Sequence, residues 1–171
     1  MPGTAPASSS CADPVDWTRW QPTMRATLLF ILRGDEVLLM RKKRGLGAGK
    51  VNGPGGKIAP GETARDCAVR ETQEELHVTA HDPDHHGTLR FQFTDGLALQ
   101  CEVFSATAFD GEPTETDEGA PFWCRREAIP YDQMWADDRH WLPGVLAGRR
   151  FESWFVFDGD KMLFHQVEWV R

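Results

Sequence analysis

No stretch of this chain approaches the ~20 consecutive apolar residues of a membrane-spanning helix, and the amino terminus lacks the basic-then-apolar order of a secretory signal. A cytoplasmic protein with no membrane partner is therefore expected. Basic charge is also scarce: 19 Lys and Arg against 26 Asp and Glu leave a formal net charge of −7. A protein that grips DNA or RNA by neutralising phosphates needs a basic face, so a polymeric nucleic-acid partner is not expected. A small anionic ligand carried by metal ions is still allowed. The four cysteines, Cys11, Cys67, Cys101 and Cys124, include no CxxC pair, which argues for reduced thiols rather than a zinc site or disulfides. Repeats on the scale of roughly 20 to 50 residues are missing, and so is an interdomain linker.

What remains is an ordinary globular composition, 40% hydrophobic and 26% charged over 171 residues, enough for one domain with a real core. The opening "MPGTAPASSSCADPVD" is rich in Pro, Ser and Ala without periodicity. A disordered tail over residues 1–20 and one domain over residues 21–171 are expected, as a monomer. Apolar runs of strand length flank Gly34-Asp35, Asp95-Gly96 and Asp158-Gly159, a hairpin-like signal each time. Helical patterns fall at residues 63–76 and near 138–148. The order strands, helix, strands, helix, strands predicts an α/β fold with a mixed sheet flanked by helices.

The segment "GGKIAPGETARDCAVRETQEEL" raises the sharpest question. Glu71, Glu74 and Glu75 stand at i, i+3 and i+4, so on a helix their like charges share a face and repel by roughly 0.2 to 0.5 kcal/mol per pair. Thr63 can cap that helix, with Asp66 three positions on, and Ala68, Val69, Thr72 and Leu76 form a separate stripe that can meet a sheet. Just before it, "NGPGGK" supplies Gly53, Gly55 and Gly56, which let the backbone approach a ligand closely. Either the carboxylates are a solvated face, or they hold a hard divalent cation such as Mg2+.

The spacing Gly56, five residues, Glu62, seven residues, Arg70-Glu71, then Glu74-Glu75 resembles the Nudix box, GX5EX7REUXEEXGU with U aliphatic; seven of its nine restricted positions match. The departures are Thr72, where an aliphatic residue is usual, and His77, where Gly commonly supplies a left-handed cap that His adopts at some cost. The resemblance implies a Nudix α/β/α sandwich and a hydrolase of nucleoside diphosphate linkages. It implies Glu71, Glu74, Glu75 and the loop residue Glu118 as metal and catalytic ligands, with the Gly56 carbonyl. Arg70 would orient the carboxylates. Mg2+ is the expected ion, with Mn2+ able to substitute, and Glu74, Glu75 and Glu118 remain alternatives for the general base.

"RKKRGLGAGKVNGPGGK" and "IPYDQMWADDRHWLPGVL" extend the similarity to MutT-like members of that family that act on oxidised purine nucleoside triphosphates. On that likeness Asn52 would hydrogen-bond the purine, Trp135 would stack on it, and Asp137 and Asp138 would read its edge. Thr27, Lys42, Phe91, Phe93 and Trp141 would line the cavity. Leu46, Val51, Pro54 and the small "EGAP" depart from the pattern toward a roomier or less stacked pocket. Each feature has a plainer reading: Trp135 and Trp141 as core, "RKKR" as a solvated strand end, the aspartates as an exposed helix start, and "HDPDHHG" as an exposed loop rather than metal ligands. The expected activity is Mg2+-dependent hydrolysis of 8-oxo-dGTP and 2-hydroxy-dATP to the monophosphate and pyrophosphate, sanitising the nucleotide pool. The alternatives are a hydrolase of dinucleoside polyphosphates or capped RNA 5′ ends, and a Nudix-fold module that senses a nucleotide without cutting it.

Overall fold

A computed structural model describes residues 13–171. Along the chain run β1 (Met24–Arg33), β2 (Glu36–Lys42), β3 (Val51–Asn52), β4 (Gly55–Lys57), α1 (Ala64–Leu76), β5 (Thr79–His81), β6 (Asp84–Phe93), β7 (Ala98–Ala106), β8 (Ala108–Asp110), β9 (Gly119–Arg125), α2 (Asp138–Leu146), β10 (Phe151–Asp158) and β11 (Lys161–Trp169). The three expected turns do close antiparallel hairpins, β1 with β2, β6 with β7 and β10 with β11. Two pairings are parallel, β1 with β7 and β6 with β10, so the main sheet is mixed. Its order is β11-β10-β6-β7-β1-β2-β3, with β4 against β1 and β9 against β2; β5 and β8 pair separately.

Alternation along β1 and β2 separates two cores, because successive strand side chains point to opposite faces. Phe30, Leu32, Val37 and Leu39 meet Trp141, Leu142 and Val145 of α2. Leu29, Ile31, Leu38 and Met40 meet Ala68 and Leu76 of α1. The two helices therefore cover opposite faces, the α/β/α arrangement expected, and the strands read as continuous apolar runs because neither face is wet.

Both ends of α1 are built from local chemistry. The Thr63 hydroxyl accepts from the Asp66 amide at 3.1 Å. His77 takes the left-handed conformation, φ 60 and ψ 31, and its amide donates to the Gln73 carbonyl, so the cap forms without glycine. Thr72, the other departure, is buried and donates its hydroxyl to the Ala68 carbonyl at 2.8 Å. That bond satisfies the polar atom an aliphatic side chain would not carry.

Two expectations need correction. The tail ends earlier than residue 20: Trp17 and Trp20 are 3% and 6% exposed and pack with Ala98, Trp154, Val156 and Phe164. They cover the face of β10 opposite the α2 core, and aromatic burial of this kind outweighs the polar composition around it. The tail expected over residues 1–12 lies outside the described residues. "HDPDHHG" is not a loop throughout, since β6 begins at Asp84. There His86 is buried, bonded to the Arg149 carbonyl at 2.9 Å and the Ser105 hydroxyl at 2.7 Å, while His85 pairs with Glu102 at 2.6 Å. Cys67, Cys101 and Cys124 are free and buried. Among the described residues no helix is long and apolar enough to cross a membrane.

Candidate active site

The Glu71 carboxylate of α1 packs so closely on the glycine loop that no side chain fits at position 56. A Cβ on Gly56 would lie 2.3 Å from the Glu71 carboxyl carbon, so only glycine lets the loop backbone approach that carboxylate. Gly56 itself pairs with Thr27 of β1, and its carbonyl accepts weakly from the Cys67 thiol at 3.6 Å.

Arg70 organises the carboxylates. Its guanidinium binds Glu62 with two donors at 2.7 and 2.9 Å, Glu71 at 2.9 Å and Glu74 at 3.2 Å. Bonding to Arg70 pulls the Glu62 carboxyl down to about 2, and the carboxylates raise Arg70 further. Glu62 was fixed by the motif spacing but given no role; it is the bidentate anchor that aims Arg70.

The three glutamates of one helical face have three different surroundings. Glu74 is exposed, Glu71 half-buried and Glu75 buried. Burial lifts Glu75 to about 8, against a donated Gly55 amide at 3.3 Å and with Glu71 and Glu118 adding like charge. Burial also raises Glu71, while Arg70 opposes it. Glu118 arrives from the loop before β9, tied down because the Thr116 hydroxyl donates to the Glu75 carbonyl at 2.7 Å and the Glu118 amide donates to that hydroxyl at 3.1 Å. Its carboxylate pairs with Arg44 at 2.7 Å. Glu71, Glu74, Glu75 and Glu118 thus line one depression.

Among the described residues no three acidic, histidine or cysteine side chains are already gathered around one point as an ion would require; Glu71 and Glu74 are turned onto Arg70. The donor set nevertheless fits a hard divalent cation. It is all oxygen, two of its carboxyls are held above their ordinary range, and the lack of a side chain at Gly56 lets the loop backbone lie directly against the Glu71 carboxylate.

Glu75 also lines a second space, a cavity of about 380 Å³ that runs from Gly56 to the start of α2. Seven of the expected pocket residues line it: Thr27, Lys42, Phe91, Phe93, Trp135, Asp137 and Asp138. Phe91 and Phe93 sit in register with Phe155 and Phe157 of β10 and stack on them at 5.2 and 5.7 Å, which fixes that wall. The sequence reading missed Leu89, Met40 and Cys101, whose side chains also reach the wall; no chemistry marks an apolar strand residue as lining rather than filling.

Two expected residues stand elsewhere. Trp141 is fully buried, stacked on Phe151 at 5.8 Å, so it belongs to the core and not to the cavity lining. It acts on the site through its indole N–H, which donates to Asp137 at 2.8 Å. Asn52 is not among the lining residues, and its side-chain oxygen accepts the Gly53 amide at 2.8 Å. The basic run is divided rather than solvated as a block: Lys42 faces the cavity, Lys43 pairs with Glu115, Arg44 with Glu118, and Arg41 with the Gly49 carbonyl and Gln133.

Asp137 and Asp138 are 1% and 2% exposed, which rules out the exposed helix start. Asp137 Oδ1 and Asp138 Oδ2 have no hydrogen-bond partner. Burial pushes both carboxyls up, and the charge of Asp137 pushes Asp138 further. Desolvation and like charge both favour the neutral form here, which suits the pair to offering a donor beside an acceptor at the end of an apolar cavity.

The NUDIX domain family matches residues 22–145. The chain is 41% identical over 147 residues to the oxidized purine nucleoside triphosphate hydrolase of Danio rerio, spanning 85% of this chain and 94% of that protein. It is 38% identical over 146 residues to the protein of the same name from Mus musculus, spanning 84% and 94%. Its fold is similar to that of the MutT protein of Bacillus halodurans, with a TM-score of 0.77 and 27% identity over 85% of this chain and 97% of that one.

Proposed function

The chain belongs to the Nudix family, and on that premise we propose that it hydrolyses oxidised purine nucleoside triphosphates, 8-oxo-dGTP and 2-hydroxy-dATP among them. The products are the monophosphate and pyrophosphate, and the role is sanitation of the nucleotide pool by a cytoplasmic monomer.

The observation that carries the substrate class is the buried pair Asp137 and Asp138, each with an unpartnered oxygen, beside Trp135 in an apolar cavity. A neutral carboxyl donates to a purine edge while its ionised neighbour accepts from one. Exchanging the proton between them suits the pair to an oxidised guanine or an oxidised adenine. Trp135 supplies a flat apolar face for the base. Glu71, Glu74, Glu75, Glu118 and the Gly56 carbonyl hold the metal, with Mg2+ as the working ion and Mn2+ able to replace it. When bound, the ions neutralise the triphosphate and acidify the attacking water. Arg70, aimed by Glu62, orients the carboxylates, and the general base is one of Glu74, Glu75 and Glu118.

The test is a nucleotide panel assayed for pyrophosphate, with 8-oxo-dGTP and 2-hydroxy-dATP set against dGTP, dATP, a dinucleoside polyphosphate and a capped RNA 5′ end. Oxidised purines should be preferred, and oxygen-labelled water should leave its label in the monophosphate or pyrophosphate. Preference for the dinucleotide or the cap, or release of labelled orthophosphate, would overturn the assignment.

A further inference from the structure

Trp135 is held on several sides. Phe93 and Phe157 present their rings edge-on to it at 6.0 and 5.6 Å. Gly47, at φ 81, passes so near the indole that a Cβ would lie 2.8 Å from its Nε1. The Lys50 ammonium stands over the ring at 5.0 Å from its centroid, and Lys50 is not among the residues that line the cavity. Trp135 lines the cavity whereas Lys50 does not, so the ammonium meets the indole from outside the lining residues.

Lys50 is well placed to stay there. Its loop is closed by the Lys50 amide donating to Gly47 and the Lys42 amide donating to Lys50, both at 2.9 Å. Its Nζ reaches Asp160 in the turn between β10 and β11 at 3.2 Å, and its side chain is only 25% exposed. Its charge also acts on Asp138, offsetting a small part of the upward push from burial.

We propose that Lys50 is a positioning and specificity-determining residue that acts through Trp135, backing the indole from outside the cavity so that the inner face takes an electron-rich purine. This rests on the reading of Trp135 as the base-stacking residue. A cation over one face of an indole is attracted to the negative part of its quadrupole and draws π density toward itself. The opposite face becomes less negative, so an oxidised purine, enriched in electrons by its added oxygen, stacks on it with less repulsion. A neutral side chain of similar shape fills the space without this effect.

The test compares the parent with Lys50→Met and Lys50→Arg, measuring kcat and KM on whichever purine triphosphate the parent hydrolyses fastest. The inhibition constant of the matching nucleoside, which carries no phosphates, is measured alongside. Lys50→Met should raise KM about three- to tenfold, the scale of a partly exposed cation–π contact, with kcat within about twofold and the nucleoside weakened by a like factor; Lys50→Arg should restore both. An unchanged KM, a loss confined to kcat, an arginine variant as weak as the methionine one, or a nucleoside whose inhibition does not move would overturn the proposal. The last of these outcomes would assign Lys50 to the phosphates. A parent inactive on every purine would remove the functional reading and this one together, whereas an active parent with an unaffected Lys50→Met removes this one alone.

Discussion

Glu71 and Glu75 stand one helical turn apart, but only Glu71 is bonded to Arg70; Glu75 is buried with a backbone amide as its donor. Changing either to Gln keeps shape and removes charge. Mg2+-dependent turnover should then fall at least about a hundredfold, the ~2.7 kcal/mol scale of lost electrostatic stabilisation, and metal-free stability in urea should hold or rise. Near-normal hydrolysis by either variant would remove the carboxylates from the mechanism. Asp138→Asn makes a different point, through pH. Both buried aspartates have folded pKa values above the ordinary 3.8, so folding takes up protons at pH values between that value and the folded ones. Their effect on stability is nil in acid and becomes a penalty as pH climbs toward the folded pKa values. Asn needs no proton, so the advantage of Asp138→Asn over the parent should widen between pH 5 and pH 8 in urea titrations; a constant gap would return the pair to ordinary titration. The same substitution should cut kcat/KM for oxidised purines roughly 10- to 150-fold, the ~1.5 to 3 kcal/mol of a charged hydrogen bond.

At the scale of elements, what was legible in sequence is what short-range chemistry decides. The start of α1 follows from Thr63, its end from the motif, and the three hairpins from their Gly and Asp residues. The end of the tail was misread, because Trp17 and Trp20 find their partners on β7, β10 and β11, far along the chain, and no local pattern reports that. Trp141 was misplaced for a related reason: an aromatic one helical turn from Asp137 has the same spacing whether it lines a pocket or fills the core. The parallel pairing of β1 with β7 was equally unreadable, since it depends on chain crossing rather than on turn residues. Two substitutions test these elements. His77→Gly should stabilise the protein by about 1 kcal/mol, because glycine takes the left-handed cap without the steric cost that His bears, and a loss of stability in urea would contradict the cap. Trp20→Ala should cost about 3 kcal/mol through the cavity it leaves among Ala98, Trp154 and Phe164, with kcat unchanged; an unaltered denaturation midpoint would show that the segment is dispensable.

Over the whole molecule, the acidic depression and the apolar cavity are joined at Glu75, which lines both. β1 lies behind this junction: Thr27 pairs with Gly56, and residues alternating along the same strand enter the α1 core and the α2 core. A strand shared in this way leaves neither half able to come apart alone, so the chain should lose its native state as one cooperative unit. Amide hydrogens of Leu29 to Ile31 should exchange with solvent only through global opening, at rates set by the full unfolding free energy, whereas those of β5 and β8, in their separate ribbon, should exchange through smaller local fluctuations. Faster exchange at Leu29 to Ile31 than in β5 would mean that the halves melt separately.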